Sequence, residues 1–199
     1  MSTSRVMALC GAFGVVTGWL GAAAGPFAAA IANLSAPWLL VALLPGMRAT
    51  SSRRGAVTGL ACTAAALTAF YLTKTVVLSG HNGGHGFAAE LLVEARANRL
   101  YLAAGAVTGP LFGLVGARLR RRLPTVSGLA LAGPLLSAEV AVVAVVSGHQ
   151  LLPRPLYFRW AVDNWAVYWL ECLLGLGLTF AAVLRRRGHR RPTGGSAPI

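Results

Sequence analysis

The chain has 199 residues, of which 56% are hydrophobic and 12% are charged, and its formal net charge is +13. A soluble domain typically carries about 25% charged residues, so this composition excludes an ordinary soluble domain and favours a membrane protein. The bases lie beside apolar runs and are not interleaved with aromatic residues. This excludes nucleic acid as the expected partner and favours anionic lipid headgroups at the arginine clusters.

Apolar runs near the length of about 20 residues that a crossing requires predict an all-α transmembrane bundle. We expect about six spans, with a short, broken second span, in one domain over residues 1–191, and a disordered tail over 192–199. The predicted spans cover about 6–24, 35–47, 55–78, 99–117, 126–147 and 160–184.

The positions of the basic residues predict the topology. Thirteen of the eighteen Lys and Arg residues fall in segments that six spans place on one side of the membrane, and none of the five acidic residues does. The positive-inside rule assigns that side to the cytoplasm, so we expect a plasma-membrane protein with both termini cytoplasmic. The thirteen are Arg5, Arg48, Arg53, Arg54, Arg118, Arg120, Arg121, Arg122, Arg185, Arg186, Arg187, Arg190 and Arg191.

The first span leaves two interpretations open. The motif Gly-Val-Val-Thr-Gly at 14–18 recurs as Gly-Ala-Val-Thr-Gly at 55–59 and 105–109. The predicted topology puts the copies at different depths, so we interpret them as helix-packing faces and expect partner helices at Gly14 and Gly18. Alternatively, residues 1–24 are a signal peptide cleaved after its Ala-Ala-Ala end.

The second span has only about 13 residues, between Pro37 and Pro45. It is either tilted in a protein-lined environment, extended by the apolar segment 27–34 that we otherwise place at the outer interface, or an ordinary helix with misplaced ends. A short span bounded by prolines also points to a broken helix at a binding site. After span three, an outer loop leads into a predicted amphipathic helix over 87–98, with Phe87, Leu91 and Ala95 on one face and Glu90, Glu94 and Asn98 on another.

Ionisable residues at span depth are the main candidates for function, because their insertion into a bilayer is costly. The helical rise places Glu139 about 21 Å and Glu171 about 20 Å from the cytoplasmic ends of their spans. Lys74 lies about 28 Å up its own span. We expect a cavity open to the outside, with the two carboxyls and the ammonium at its floor.

Aromatic and polar residues near this depth complete the candidate set. Asn164, Tyr168 and Glu171 form a polar stripe along one helical face. The ligand-binding candidates are Lys74, Tyr71, Asp163, Asn164, Trp165, Tyr168 and Trp169, and the catalytic candidates in an enzyme are Glu139 and Glu171. The alternatives are an interfacial aromatic belt, a surface Arg159–Asp163 ion pair, a snorkelling Lys74 and a structural glutamate pair. If the glutamates are close and unpaired with Lys74, one of them holds a proton.

We expect no cofactor and no metal. Cys10, Cys62 and Cys172 lie within apolar runs as small core- or lipid-facing residues. The outer-loop residues His81, His85 and His149 form no metal-binding motif.

Several segments carry a family resemblance: residues 32–42, Tyr71-Leu72-Thr73, residues 109–116, Ala138-Glu139 and residues 171–176. Through them the chain resembles an uncharacterised family of small six-span actinobacterial membrane proteins, which implies the fold and leaves the chemistry open. The chain is also loosely similar to the substrate-binding subunits of energy-coupling-factor vitamin transporters, through the small residues of its first span. A further loose similarity is to small membrane-bound terpene cyclases, which use acidic side chains in an aromatic-lined cavity.

Three functions follow as hypotheses. The first is a membrane protein that binds a small molecule in an outward-facing polar and aromatic cavity, with translocation of that molecule left open. The second is a membrane enzyme such as a protonation-initiated isoprenoid cyclase, with Glu139 or Glu171 as general acid. The third is a structural or assembly protein.

Overall fold

The structure is a computed structural model, and it describes residues 2–82, 86–123, 128–149 and 165–188. The described residues form eight helices and no strand. The helices are α1 (Thr3–Ala23), α2 (Gly25–Ala32), α3 (Ser35–Gly46), α4 (Ser52–Asn82), α5 (Phe87–Ala97), α6 (Arg99–Arg122), α7 (Gly128–His149) and α8 (Trp165–Gly188).

Five segments of the described residues are long and apolar enough to cross a membrane. They are Thr3–Ala23, Gly25–Gly46, Ser52–Gly80, Arg99–Arg122 and Ala166–Arg185. A shorter apolar helix, Ala130–Val143, lies within α7 at the place of the fifth predicted span. The all-α membrane class is therefore confirmed, whereas the count of six spans and the sides of the termini stay predictions.

The helix bounds differ from the predicted spans at several ends. Helix α4 runs on to Asn82, through the first residues of the predicted outer loop, and the hydroxyl of Ser79 donates to the Val76 carbonyl at 3.1 Å. Helix α6 continues to Arg122, so the arginine cluster is helical. Helix α8 begins at Trp165, and the first predicted residues of span six lie outside the described residues, as does the tail over 192–199.

The second span is two helices, α2 and α3, within one apolar segment of 22 residues, Gly25–Gly46. The extension of the short span by the segment 27–34, one of the predicted alternatives, gives this length. Gly25, the first residue of α2, has a φ of +81°, a left-handed conformation that glycine adopts without strain and that turns the chain between α1 and α2.

The break between α2 and α3 is stabilised by an aromatic side chain. The indole N–H of Trp38 donates to the carbonyl of Ala32, at the end of α2, over 3.0 Å. The Trp38 ring makes edge-to-face contacts with Phe13 of α1 and Phe70 of α4, at centroid distances of 5.0 and 5.4 Å. Backbone carbonyls freed within a bilayer need such partners, so Trp38 makes the interrupted helix compatible with the membrane.

The chain divides into two compact units. The first contains α1 to α6 together with the start of α8 up to Val167, and the second contains α7 and the remainder of α8. In the first unit, α4 packs against α1, α3, α5 and α6.

The glycine motifs of the sequence lie at the helix contacts of α4. A Cβ on Gly14 would lie 2.9 Å from the Ala66 carbonyl carbon, and one on Gly59 would lie 2.7 Å from the Gly113 Cα. A Cβ on Gly109 would lie 2.9 Å from the Thr63 hydroxyl oxygen. All three copies of the motif therefore serve close helix packing, as predicted, and the helix that covers Gly14 and Gly18 is α4 of the same chain.

Two of the three cysteines meet in the core of the first unit. Cys10 of α1 and Cys62 of α4 are buried and interact through their side chains, and the Cys62 Sγ lies 3.8 Å from the Met7 Sδ. Val6 and Val41 complete this cluster. The prediction of core-facing cysteines is confirmed for this pair.

Candidate functional site

An ion pair joins α4 to α5 in the first unit. The Lys74 ammonium lies 2.7 Å from the Glu94 Oε2, and the two side chains are 24% and 14% exposed. The Asn98 amide donates to the same Oε2 at 3.1 Å and to the Glu94 backbone carbonyl at 2.9 Å. The result is a polar cluster without net charge, which we call the Lys74–Glu94–Asn98 cluster.

A groove with a volume of about 420 Å³ lies between α4, α5 and α6, and its lining includes Tyr71, one turn before Lys74, and Ala95, which follows Glu94. Its wall is almost entirely apolar. The lining residues are Leu60, Thr63, Ala64, Leu67, Thr68, Tyr71 and Leu72 of α4, Leu91 and Ala95 of α5, and Leu102, Gly105 and Ala106 of α6.

The sequence explains why the groove exists. On α6, Gly105 and Ala106 carry minimal side chains, so the backbone of that helix forms part of the wall. On α5, Leu91 and Ala95 lie four residues apart, on the apolar face that the periodicity predicts. The α4 wall from Leu60 to Leu72 extends about 18 Å, which is long enough for an extended alkyl or isoprenoid chain.

The second unit holds a pair of carboxyls. Glu139 of α7 is half-buried, Glu171 of α8 is 4% exposed, and their side chains interact. Among the described residues, neither Oε1 nor Oε2 of Glu171 has a hydrogen-bond partner. The prediction that these two glutamates lie at one level on neighbouring helices agrees with this contact.

The predicted site residues are thus divided between two places. Lys74 pairs with Glu94 in the first unit, with Tyr71 one turn away on α4, whereas the two candidate catalytic glutamates belong to the second unit. The predicted cavity, with Lys74 and both glutamates at its floor, stays a prediction.

The aromatic and polar candidates of span six have different environments. Trp169 is 59% exposed, so its ring lies on an outer surface, and Tyr168 is half-buried. Trp165 is the first residue of α8. Asp163 and Asn164 lie outside the described residues.

Sequence reasoning missed Glu94 and Asn98 as members of a site. The periodicity of 87–98 places both on one face, which by itself indicates only the polar side of an amphipathic helix. The signal for their partner was Lys74 itself, a base near the end of a span that needed a nearby counter-charge.

In the described part of the chain, no three His, Cys, Asp or Glu side chains come together as a metal site would require. His85 lies outside the described residues. The prediction of no metal at the three histidines therefore stays a prediction.

Eight helices, with five segments of spanning length among the described residues, define a multi-pass α-helical membrane protein. Comparison with protein families places the chain more narrowly: it belongs to a family of unknown function, DUF6518, which matches residues 2–197. The expected membership of an uncharacterised family is thereby confirmed. No curated protein and no solved structure matches the chain, and the looser resemblances to transporter subunits and terpene cyclases stay hypotheses.

Proposed function

We propose that the protein binds an amphipathic small molecule, with the apolar chain of the ligand in the groove and its polar head at the Lys74–Glu94–Asn98 cluster. The observation that supports this proposal is the apolar groove of about 420 Å³, whose lining residues Tyr71 and Ala95 are close along their helices to the ion-paired Lys74 and Glu94. Ligand sites are typically concave and apolar, with a few polar groups that fix orientation, and this arrangement has both parts.

The chemistry of the cluster defines the class of head group. Its ammonium and amide groups donate hydrogen bonds, and its carboxylate accepts them, while the net charge is zero. A neutral head that both donates and accepts, such as a hydroxyl, adds to this network without separating the ion pair. The proposed ligand class is therefore a long-chain alcohol or a molecule with an equivalent head.

A photolabelling experiment tests this function. The probe is a long-chain alcohol that carries a diazirine, and peptide mass spectrometry locates the adduct. Ala64 is exposed and lines the groove, so Ala64→Trp fills it without entering a helix contact. We expect labelling of α4, α5 or α6 that falls about tenfold in this variant, equivalent to about 1.4 kcal/mol of binding free energy.

Ala12→Trp is the matched control, because Ala12 is exposed on α1 and is absent from the groove lining. We expect its labelling to equal that of the natural chain. Equal labelling in Ala64→Trp would mean that the probe reports only lipid at the protein surface, and the proposal would be wrong.

The second candidate function is a membrane enzyme of the isoprenoid-cyclase type. The observation that favours it is the buried Glu171 carboxyl beside Glu139, since a general acid must keep a proton in an apolar site. Incubation with isoprenoid substrates and product analysis distinguishes the two functions. Conversion that is lost in Glu171→Gln while photolabelling of the groove persists would favour the enzyme.

A further inference from the structure

The glutamate pair lies where two helices of the second unit pack closely. A Cβ on Gly175 of α8 would lie 2.5 Å from the Ser137 Oγ and 2.6 Å from the Gly133 carbonyl oxygen, both of α7. A Cβ on Gly133 would lie 2.8 Å from the Thr179 backbone nitrogen. These contacts make α7 and α8 antiparallel neighbours, and they bring Glu139 and Glu171 to the same level.

Two ionised carboxylates cannot form a hydrogen bond with each other at this helix contact, because both only accept hydrogen bonds. The Glu171 side chain is 4% exposed, and no described residue donates to either of its oxygens. An ionised carboxylate buried without a partner is strongly unfavourable, and a second like charge adds to the cost. One proton removes a charge and also supplies the missing donor.

Among the described residues, the charged and titratable groups near Glu171 do not remove the need for this proton. Facing Glu171 from α7 is Glu139, and on α8 the phenol of Tyr168 lies one turn before it. Lys74, the base that the sequence suggested as the counter-charge, donates to Glu94 instead.

We propose that Glu139 and Glu171 form a proton-binding site in which one exchangeable proton is held between the two carboxyls. The site uses residues of the second unit and includes no residue of the groove lining. A proton-coupled process in a membrane protein requires an exchangeable proton within a span. We place that proton in the second unit.

Infrared spectroscopy of the purified full chain at neutral pH tests the proposal, because the C=O stretch of a protonated carboxyl is separate from that of a carboxylate. We expect a band equal to one protonated carboxyl per chain, and a shift of that band in D₂O. In Glu171→Gln and in Glu139→Gln, the introduced amide donates to the remaining carboxylate, so each single variant should lose the band. Glu90→Gln, a change on α5 in the first unit, should keep it.

Every other pattern contradicts the proposal. No band in the natural chain would mean that both carboxyls are ionised, and a band of two carboxyls would mean that each holds its own proton. Loss of the band in Glu171→Gln but not in Glu139→Gln would assign the proton to Glu171 alone. Size-exclusion chromatography of each variant in detergent confirms that the fold is retained, and the photolabelling of the groove reports separately on the proposed function.

Discussion

At the residue scale, the ion pair between Lys74 and Glu94 determines how α5 attaches to α4. We expect Glu94→Gln to lower the free energy of unfolding by about 1–3 kcal/mol, because it leaves a largely buried ammonium without its counter-charge. Glu90→Gln, one turn earlier on α5, makes the same chemical change at a residue that has no ion pair among the described residues, and should stay within about 0.5 kcal/mol.

Unfolding in mixed micelles, followed by circular dichroism, gives both values. The exchanged variant Lys74→Glu with Glu94→Lys should recover most of the loss. If Glu94→Gln and Glu90→Gln were equally stable, the ion pair would contribute nothing measurable and α5 would depend on its apolar face alone.

The same residues show what single positions in a sequence can predict. The cost of a base at span depth predicts a partner or a snorkelling side chain for Lys74, and the structure pairs it with Glu94. The distance along α4 placed Lys74 above Glu139 and Glu171, but depth alone does not say which helices are neighbours. Glu94 was present in the predicted amphipathic helix, and only the packing of α5 on α4 identifies it as the partner.

At the element scale, small residues set the helix contacts, and the contact of α1 with α4 is testable. We expect Gly14→Ala to destabilise the protein by about 1–3 kcal/mol, because the new methyl group would press on the Ala66 backbone, which cannot move alone. Gly11→Ala is the matched control on the same helix, since its Cβ would meet no atom of the described residues within 4 Å. It should raise stability by up to about 1 kcal/mol through helix propensity.

Opposite signs for the two variants, measured by unfolding in the same detergent, would confirm the packing face. A Gly14→Ala variant as stable as Gly11→Ala would show that α1 does not approach α4 through this glycine, and the alternative of a removable segment over residues 1–24 would gain support.

The elements themselves were predictable to different degrees. Long apolar runs predicted α1, α4, α6, α7 and α8, and the glycine motif predicted close packing, because both signals are local. The interrupted second span was predicted only as one of several alternatives. Its break between α2 and α3 is stabilised by the tertiary hydrogen bond from Trp38 to Ala32, and the sequence does not reveal that bond.

At the scale of the whole molecule, the number of membrane crossings decides on which side of the membrane the C-terminus lies. An even number puts it on the same side as the N-terminus, and an odd number puts it on the other side. Arginines end both α6 and α8, and the positive-inside rule predicts that both helix ends lie in the cytoplasm. That requires α7 and α8 each to cross. Within the described residues α7 contributes only the shorter apolar helix Ala130–Val143, so its crossing is the critical point of the predicted topology.

Introduced cysteines and a membrane-impermeant maleimide test this topology in intact cells. We expect Gln150→Cys, between α7 and α8, to be labelled from outside, and Ser2→Cys and Ser196→Cys to be labelled only after permeabilisation. The natural chain is the control, because Cys10 and Cys62 are buried and Cys172 is half-buried within α8. Labelling of Ser196→Cys in intact cells would mean that α7 does not cross. In that case five spans would put the C-terminus outside, and the arginines that follow α8 would contradict the positive-inside rule.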